Sequence, residues 1–258
     1  MFKHDPIYMP FEYLDNYKFT PFSHRGGSIE NDENTIEAFD NSISLGYRYL
    51  ETDVQHTKDD RLVIFHDHNL KRICNLDLEI SNTNFHELKD IKLFDKHNIP
   101  LLDEVLNTWP DINFNIEPKT ERSAYLLLDE LKKQKNIDKF CVGSFKSETL
   151  NIMRRGFNDK ICTSMSQDEV ISYFLNRLIP FSNNTAPCVQ IPMYFYGLQI
   201  VTKNLVNYVH STGKKIHVWT INDENEMKTL IDYGVDGIMT DRPKKLKEVL
   251  TKRKLWPH

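Results

Sequence analysis

The stretch ETDVQHTKDDRLVIFHDHNL, residues 51–70, decides how the chain folds. Its first part continues an apolar run that starts at Tyr47, and Leu62-Val63-Ile64-Phe65 is a second such run; both read as strands. Only about seven residues separate Val54 from Leu62. A parallel pair needs a crossover of about a dozen residues or more, so these two strands form an antiparallel hairpin with Lys58-Asp59-Asp60 near its turn. Counting back from that turn sets Val54 near Ile64 and Thr52 near His66. The arm therefore returns His66-Asp67 to the level of Glu51 and Asp53.

Outward from the hairpin, apolar β-rich runs alternate with amphipathic helical patterns. Strands are expected at 19–24, 47–54, 112–117, 138–143, 160–164, 187–191, 215–220 and 236–240. Helices are expected at 34–46, 101–108, 121–135, 146–155, 166–178, 201–212, 223–233 and 243–251. Such alternation means βα units around a parallel sheet. Eight units in 258 residues fit an α/β fold of the TIM (β/α)8 barrel type, with a β-hairpin arm after strand 2. The open doubly wound alternative lacks its G-x-G-x-x-G signature after a strand. Residues 68–100, of mixed polar character, are expected to form a small insertion at the barrel mouth; the whole of 1–258 is expected to be one domain. Pro180 to Pro187 reads as a polar loop.

The ends of these strands carry the chemistry. Glu51 and Asp53 are two residues apart and share one strand face. Two carboxylates this close repel unless a cation or a proton lies between them. Glu117 ends the next barrel strand, with Asn115 on the same face. Three carboxylates with open positions suit one hard divalent cation, Mg²⁺ or Ca²⁺. His24 and His66 each end a strand, and an imidazole titrates near neutrality, so one ring can accept a proton while the other donates one. Arg25 and Lys119 add fixed positive charge suited to phosphate oxygens, or to a neighbouring carboxylate in the case of Lys119. Phe145, Tyr194 and Trp219 stand near strand ends, where core packing is the default and a pocket wall the alternative. Glu33-Asn34-Thr35 reads as a structural cap on the first helix.

Composition narrows the class. The net charge is −4, from 33 basic and 37 acidic residues, against the basic excess of a nucleic-acid protein. The basic stretch Arg242 to Lys254 reads as a solvated helix face. Cys74, Cys141, Cys162 and Cys188 make no C-x-x-C pair, and the last three lie in short apolar runs, as small hydrophobes do in a reducing compartment. No run approaches the roughly twenty apolar residues of a membrane helix, and the first residues show no secretory leader pattern, so a soluble cytoplasmic protein is expected.

Taken together, HRG at 24–26, ENTIEAF at 33–39, ETDVQHTKDD at 51–60, LVIFHDHNLKR at 62–72, IPLLDEVL at 99–106, NIEPK at 115–119, GSF at 143–145, VWTIN at 218–222 and GVDGIMTDRP at 234–243 resemble the glycerophosphodiester phosphodiesterase family. The resemblance implies a TIM barrel and a divalent-metal enzyme that hydrolyses glycerophosphodiesters to sn-glycerol 3-phosphate and an alcohol. It also implies an acid–base pair at His24 and His66, metal ligands at Glu51, Asp53 and Glu117, phosphate contacts at Arg25 and Lys119, and a pocket aromatic at Trp219. Asp32 stands where the family has a proline, and Pro118 where it has an apolar residue. By analogy, the glycerol 2-hydroxyl or a water attacks phosphorus, with either histidine as the base. A lysophospholipase D, a non-catalytic glycerophosphodiester-binding barrel, and a metal-dependent sugar isomerase or aldolase are the rival readings. The implied partner is a small glycerophosphodiester, with neither nucleic acid nor stable membrane insertion.

Overall fold

A computed structural model describes residues 11–176 and 186–257; the readings made above for the first ten residues and for most of the 180–187 loop lie outside the described residues. The chain opens with a short helix α1 (Glu12–Asp15), then strand β1 (Thr20–His24), helix α2 (Ile36–Ser44) and strand β2 (Tyr49–His56). The hairpin partner β3 (Leu62–Ile64) leads into an insertion carrying α3 (Lys71–Cys74) and α4 (Phe85–Leu88), and α5 (Leu102–Thr108) returns to the barrel. From there strands and helices alternate: β4 (Asn113–Pro118), α6 (Glu121–Leu131), β5 (Phe140–Val142), α7 (Ser147–Gly156), β6 (Cys162–Thr163), α8 (Gln167–Asn176) and β7 (Cys188–Pro192). A two-strand excursion, β8 (Tyr194–Phe195) with β9 (Leu198–Gln199), precedes α9 (Lys203–Ser211), β10 (Lys215–Trp219), α10 (Glu224–Tyr233), β11 (Gly237–Thr240) and α11 (Pro243–Lys252).

The barrel strands pair in parallel in the order β6-β5-β4-β2-β1-β11-β10-β7, and a parallel Ser164–Cys188 bridge joins the two ends. All eight expected barrel strands and their helices are present. β3 pairs antiparallel with β2, Val54 opposite Ile64 and His56 opposite Leu62, which is the register the short turn dictated. Phe65 N–H continues the ladder to Asp53 O at 3.1 Å, so His66 does reach the level of the β2 carboxylates.

Burial follows the layers of the barrel. Val189, Ile216, Val218 and Ile238 on one side and Leu50, Phe114, Ile116 and Val142 on the other pack outward against the helices. The lower interior holds Phe22, Tyr49, Met239 and three cysteines, and Phe11, Tyr13 and Leu14 around α1 close it from below. Nothing in the periodicity announces this plug, since four residues are too few to show a helical pattern.

The insertion differs from its expected polar character. Leu70, Ile80, Leu88, Leu93 and Ile99 form a small apolar core against Val63 and Phe65 of the arm. Its apolar residues are irregularly spaced because short helical turns and loops present them, so no period reveals them. The insertion touches the barrel rim through polar side chains: Arg72 reaches Glu33, and His97 Nε2 lies 3.0 Å from Asp32 Oδ2. No helix among the described residues is long and apolar enough to cross a membrane.

Candidate active site

The loop after β1 sets the site's first wall. Arg25, Gly26 and Gly27 all have positive φ (53°, 79° and 91°), so the chain turns sharply over the end of the strand. A Cβ on Gly26 would lie 2.5 Å from Ala38 Cβ, so only glycine lets the loop pass this close to α2. The turn sets His24 and Arg25 beside β2, where Arg25 N–H donates to Glu51 O at 3.0 Å.

Glu51 and Asp53 of β2 and Glu117 of β4 converge, with one oxygen of each within 4.8 Å of the others. Glu51 and Asp53 are buried. Two cations already answer them. Lys119 Nζ lies 2.6 Å from Asp53 Oδ1 and 2.8 Å from Glu117 Oε2, and Arg25 Nε lies 3.0 Å from Asp53 Oδ2. Burial would raise Asp53, but Lys119 and Arg25 outweigh it and hold Asp53 well below the usual carboxylate range. Burial pushes Glu51 up, and the charge of Asp53 adds to the effect. Three converging carboxylates, two of them buried and one pushed toward its neutral form, are what the oxygen ligands of a hard cation look like before charge is supplied. The donor set therefore fits a divalent cation.

Each histidine has its own carboxylate. His24 Nδ1 is 2.6 Å from Asp241 Oδ1, and its Nε2 points toward Glu51 Oε2 at 3.6 Å. Asn222 Nδ2 donates to Asp241 Oδ2 at 2.9 Å, while Asp241 N–H donates to Asn222 Oδ1 at 2.8 Å, which fixes the carboxylate. Burial would lower His24, but Glu51 and Asp241 prevail and raise it. His66 Nδ1 is 2.6 Å from Asp67 Oδ1, and Arg72 Nε donates to Asp67 Oδ2 at 2.6 Å. Arg72 also clamps Glu33, with NH1 and NH2 at 3.0 and 2.7 Å, and Glu33 in turn accepts from Arg25 NH1 at 3.2 Å. A chain of charges thus runs from the insertion to the carboxylate cluster.

Of the residues named from sequence, His24, Arg25, Glu51, Asp53, Glu117 and Lys119 gather at one mouth, with His66 returned to it by the arm. Lys119 holds the ion pairs that were its alternative reading. Phe145 and Trp219 stack edge to face at 5.8 Å on the rim. The core default fails for Phe145 and Tyr194, which are 54% and 44% exposed: both follow a strand's end, where the chain has already left the core.

Glu33-Asn34-Thr35 is more than a cap. Thr35 does cap α2, accepting from Ala38 N–H, but Asn34 Nδ2 donates to Asp53 Oδ2 at 3.1 Å and Thr52 Oγ1 to Asn34 Oδ1 at 2.8 Å. Asn34 adopts φ of 56°, which swings it off the helix axis and over β2. Asp241, Asn222 and Arg72 were not singled out. Asp241 sits 217 positions from its histidine, and only closure of the barrel brings them together.

Three comparisons with known proteins give the family and the fold. The profile of the glycerophosphoryl diester phosphodiesterase family matches residues 24–245. A Mycobacterium tuberculosis protein named "Probable glycerophosphodiester phosphodiesterase 2" is 28% identical over 254 residues, covering 95% of this chain and 96% of that one. Lysophospholipase D GDPD1 of Homo sapiens is 30% identical over 266 residues, covering 88% and 85%. Among solved structures, a glycerophosphodiester phosphodiesterase of Thermotoga maritima superposes with a TM-score of 0.70 at 28% identity, covering 91% of this chain and 98% of that one. The chain is therefore an enzyme belonging to the glycerophosphoryl diester phosphodiesterase family.

Proposed function

We propose that the protein hydrolyses glycerophosphodiesters to sn-glycerol 3-phosphate and an alcohol, using one divalent cation, Mg²⁺ or Ca²⁺, held by Glu51, Asp53 and Glu117. The observation that carries this reading is the pair of imidazoles beside the carboxylate cluster, each anchored at Nδ1 by a carboxylate 2.6 Å away. Anchoring at Nδ1 fixes the ring and leaves Nε2 for proton transfer. A bound cation would supply neutralisation of phosphoryl charge. Arg25 and Lys119, now ion-paired with Asp53, are placed to turn toward phosphate oxygens.

One histidine takes the proton from the attacking oxygen, and the other gives a proton to the departing alcohol oxygen. The attacking oxygen is the glycerol 2-hydroxyl or a water. A substrate lacking that hydroxyl separates the two: much slower reaction supports the hydroxyl, and an equal rate supports water. Phe145 and Trp219 form the rim on the side away from the charges and would wall the leaving alcohol. The first-order test is a panel of glycerophosphocholine, glycerophosphoethanolamine and glycerophosphoglycerol with product identification. Formation of sn-glycerol 3-phosphate from several of them, with kcat/KM within about tenfold, supports the assignment, because recognition falls on the common part of the substrates. No turnover of any would reject it.

One observation favours a second reading, lysophospholipase D. The excursion β8–β9 projects from the end of β7, where Pro192 pairs with Trp219, and it exposes Tyr194, Phe195, Tyr196 and Leu198 beside the site. The human relative bears the name of that activity. Adding a lysophospholipid to the panel decides between a broad and a tail-selective enzyme.

A further inference from the structure

Below the catalytic layer lies a second cluster that phosphodiester hydrolysis does not use. Cys141 of β5, Cys162 of β6 and Cys188 of β7 stand on three consecutive barrel strands, with Cys141 opposite Cys162 in the register and Cys188 bridged to Ser164. All three are buried, at 0%, 2% and 0% exposure, and all are free thiols. Their sulfurs lie within 4.8 Å of one another. The polar residues Asn115, Gln190 and His217 form the next interior layer toward the mouth, with Gln190 Nε2 3.0 Å from Asn115 Oδ1 and 3.4 Å from His217 Nδ1. This layer separates the thiols from the carboxylates.

A fourth group approaches from the floor. Tyr13 of the α1 plug is 1% exposed, packs in the same cluster as the three cysteines and is close enough to interact electrostatically with each of them. Its hydroxyl has no hydrogen-bond partner. A buried hydroxyl without a partner is a rare and costly feature. Thiols acting as small hydrophobes explain burial of the cysteines, but not why an unpaired phenol oxygen is buried in the same packed cluster. A water would need two to four good polar partners there, and thiols are weak ones. Cys188 Sγ donates weakly to Thr163 O at 3.7 Å, which leaves the phenol unanswered.

We propose that Cys141, Cys162, Cys188 and Tyr13 form a buried structural site for one thiophilic closed-shell cation, Zn²⁺, distinct from the carboxylate site. Zinc takes four ligands in a tetrahedron with Zn–S near about 2.3 Å, which sets sulfurs about 3.8 Å apart, within the spacing found. Thiolates select zinc as carboxylates select Mg²⁺ or Ca²⁺, so one barrel can sort the two kinds of ion by ligand softness. On binding, three S–H protons leave to solvent and three Zn–S bonds form, while the phenol keeps its proton and donates a lone pair. The cluster passes from neutral to a charge of −1. Arg154 acts on Cys141 and Lys214 on Cys188, which offsets that charge. The ion would tie β5, β6 and β7 to the α1 plug. Because the plug closes over the cluster, loading takes place during folding.

The test is zinc retention and X-ray absorption on the full chain, produced in zinc-supplemented cells and then dialysed against chelator and Mg²⁺. We expect about one zinc ion retained per chain, with three sulfur neighbours at about 2.3 Å. Glu117→Gln should keep that zinc, whereas Cys162→Ser should lose it by about tenfold or more. Should Cys162→Ser fail to fold, the wild-type absorption spectrum decides alone. No retained zinc in the wild type, or retained zinc with only oxygen and nitrogen neighbours, overturns the proposal.

Discussion

His24 and His66 differ in how they are held, and that difference makes them separable by mutation. His24 is anchored by Asp241 in a buried, barrel-closing contact, whereas His66 is anchored by its sequence neighbour Asp67 at a more open site. Replacing either histidine with alanine should lower kcat by about 10²- to 10⁴-fold without unfolding the protein; a variant with near-normal turnover would make that ring structural. Arg72 touches no reacting atom, yet it orients Asp67 and Glu33 together. Arg72→Gln should therefore lower kcat by about 10- to 100-fold with little change in KM, and Arg72→Lys should recover part of it; equal loss in both variants would point to a general structural role. The His24–Asp241 pair also makes a pH-dependent contribution to stability. Burial opposes both charges, but the contact prevails, raising His24 above its ordinary 6.5 and lowering Asp241 below its ordinary 3.8. A raised histidine stabilises the fold fully below its unfolded pKa and loses that contribution as pH rises through the folded one; a depressed aspartate loses its contribution as pH falls through its own. The denaturation penalty of Asp241→Asn should therefore be largest between about pH 4 and pH 6.5 and shrink toward pH 9. A penalty independent of pH would contradict this. At this scale the sequence displays whatever lies in one short motif: HRG, E-x-D and HD could be read directly. Asp241, Asn222 and Arg72 could not, because their partners are set by closure of the barrel and by an aperiodic insertion.

At the scale of elements, two short connections set the site's geometry. The arm is legible because its length forbids a crossover, and the period of two along a strand then fixes which side chains return to which level. The loop after β1 is less legible, since HRGG shows a turn but not what it passes over. Its packing against α2 gives a sharp expectation. Gly26→Ala would put a Cβ 2.5 Å from Ala38 Cβ at a φ of 79°, so it should destabilise the protein by about 1–3 kcal/mol and misplace His24 and Arg25. Chemical denaturation checks the first effect and kcat the second; an unchanged midpoint would show that the loop can shift at little cost. The insertion and the α1 plug mark where reading by period stops, because their apolar residues come singly from turns.

Across the whole molecule, barrel closure turns eight separate strand ends into one mouth. The alternation of elements gave the barrel and its strand count from residues alone, since each βα unit repeats the same burial pattern. What closure adds is the stack of interior layers: carboxylates at the mouth, an amide and histidine layer beneath, and thiols at the floor. The mouth layer concentrates negative charge from Glu51, Asp53 and Glu117 in a buried setting that Arg25 and Lys119 only partly balance. That imbalance makes a divalent cation the central requirement of the proposed activity. The most direct measurement is the rate of sn-glycerol 3-phosphate release from glycerophosphocholine by chelator-stripped protein, titrated with Mg²⁺ or Ca²⁺, for the wild type and for Asp53→Asn. We expect no turnover without metal, saturable recovery in the wild type, and none at matched concentrations in the variant. Full turnover by the stripped wild type, or equal recovery in Asp53→Asn, would contradict the assignment of these carboxylates.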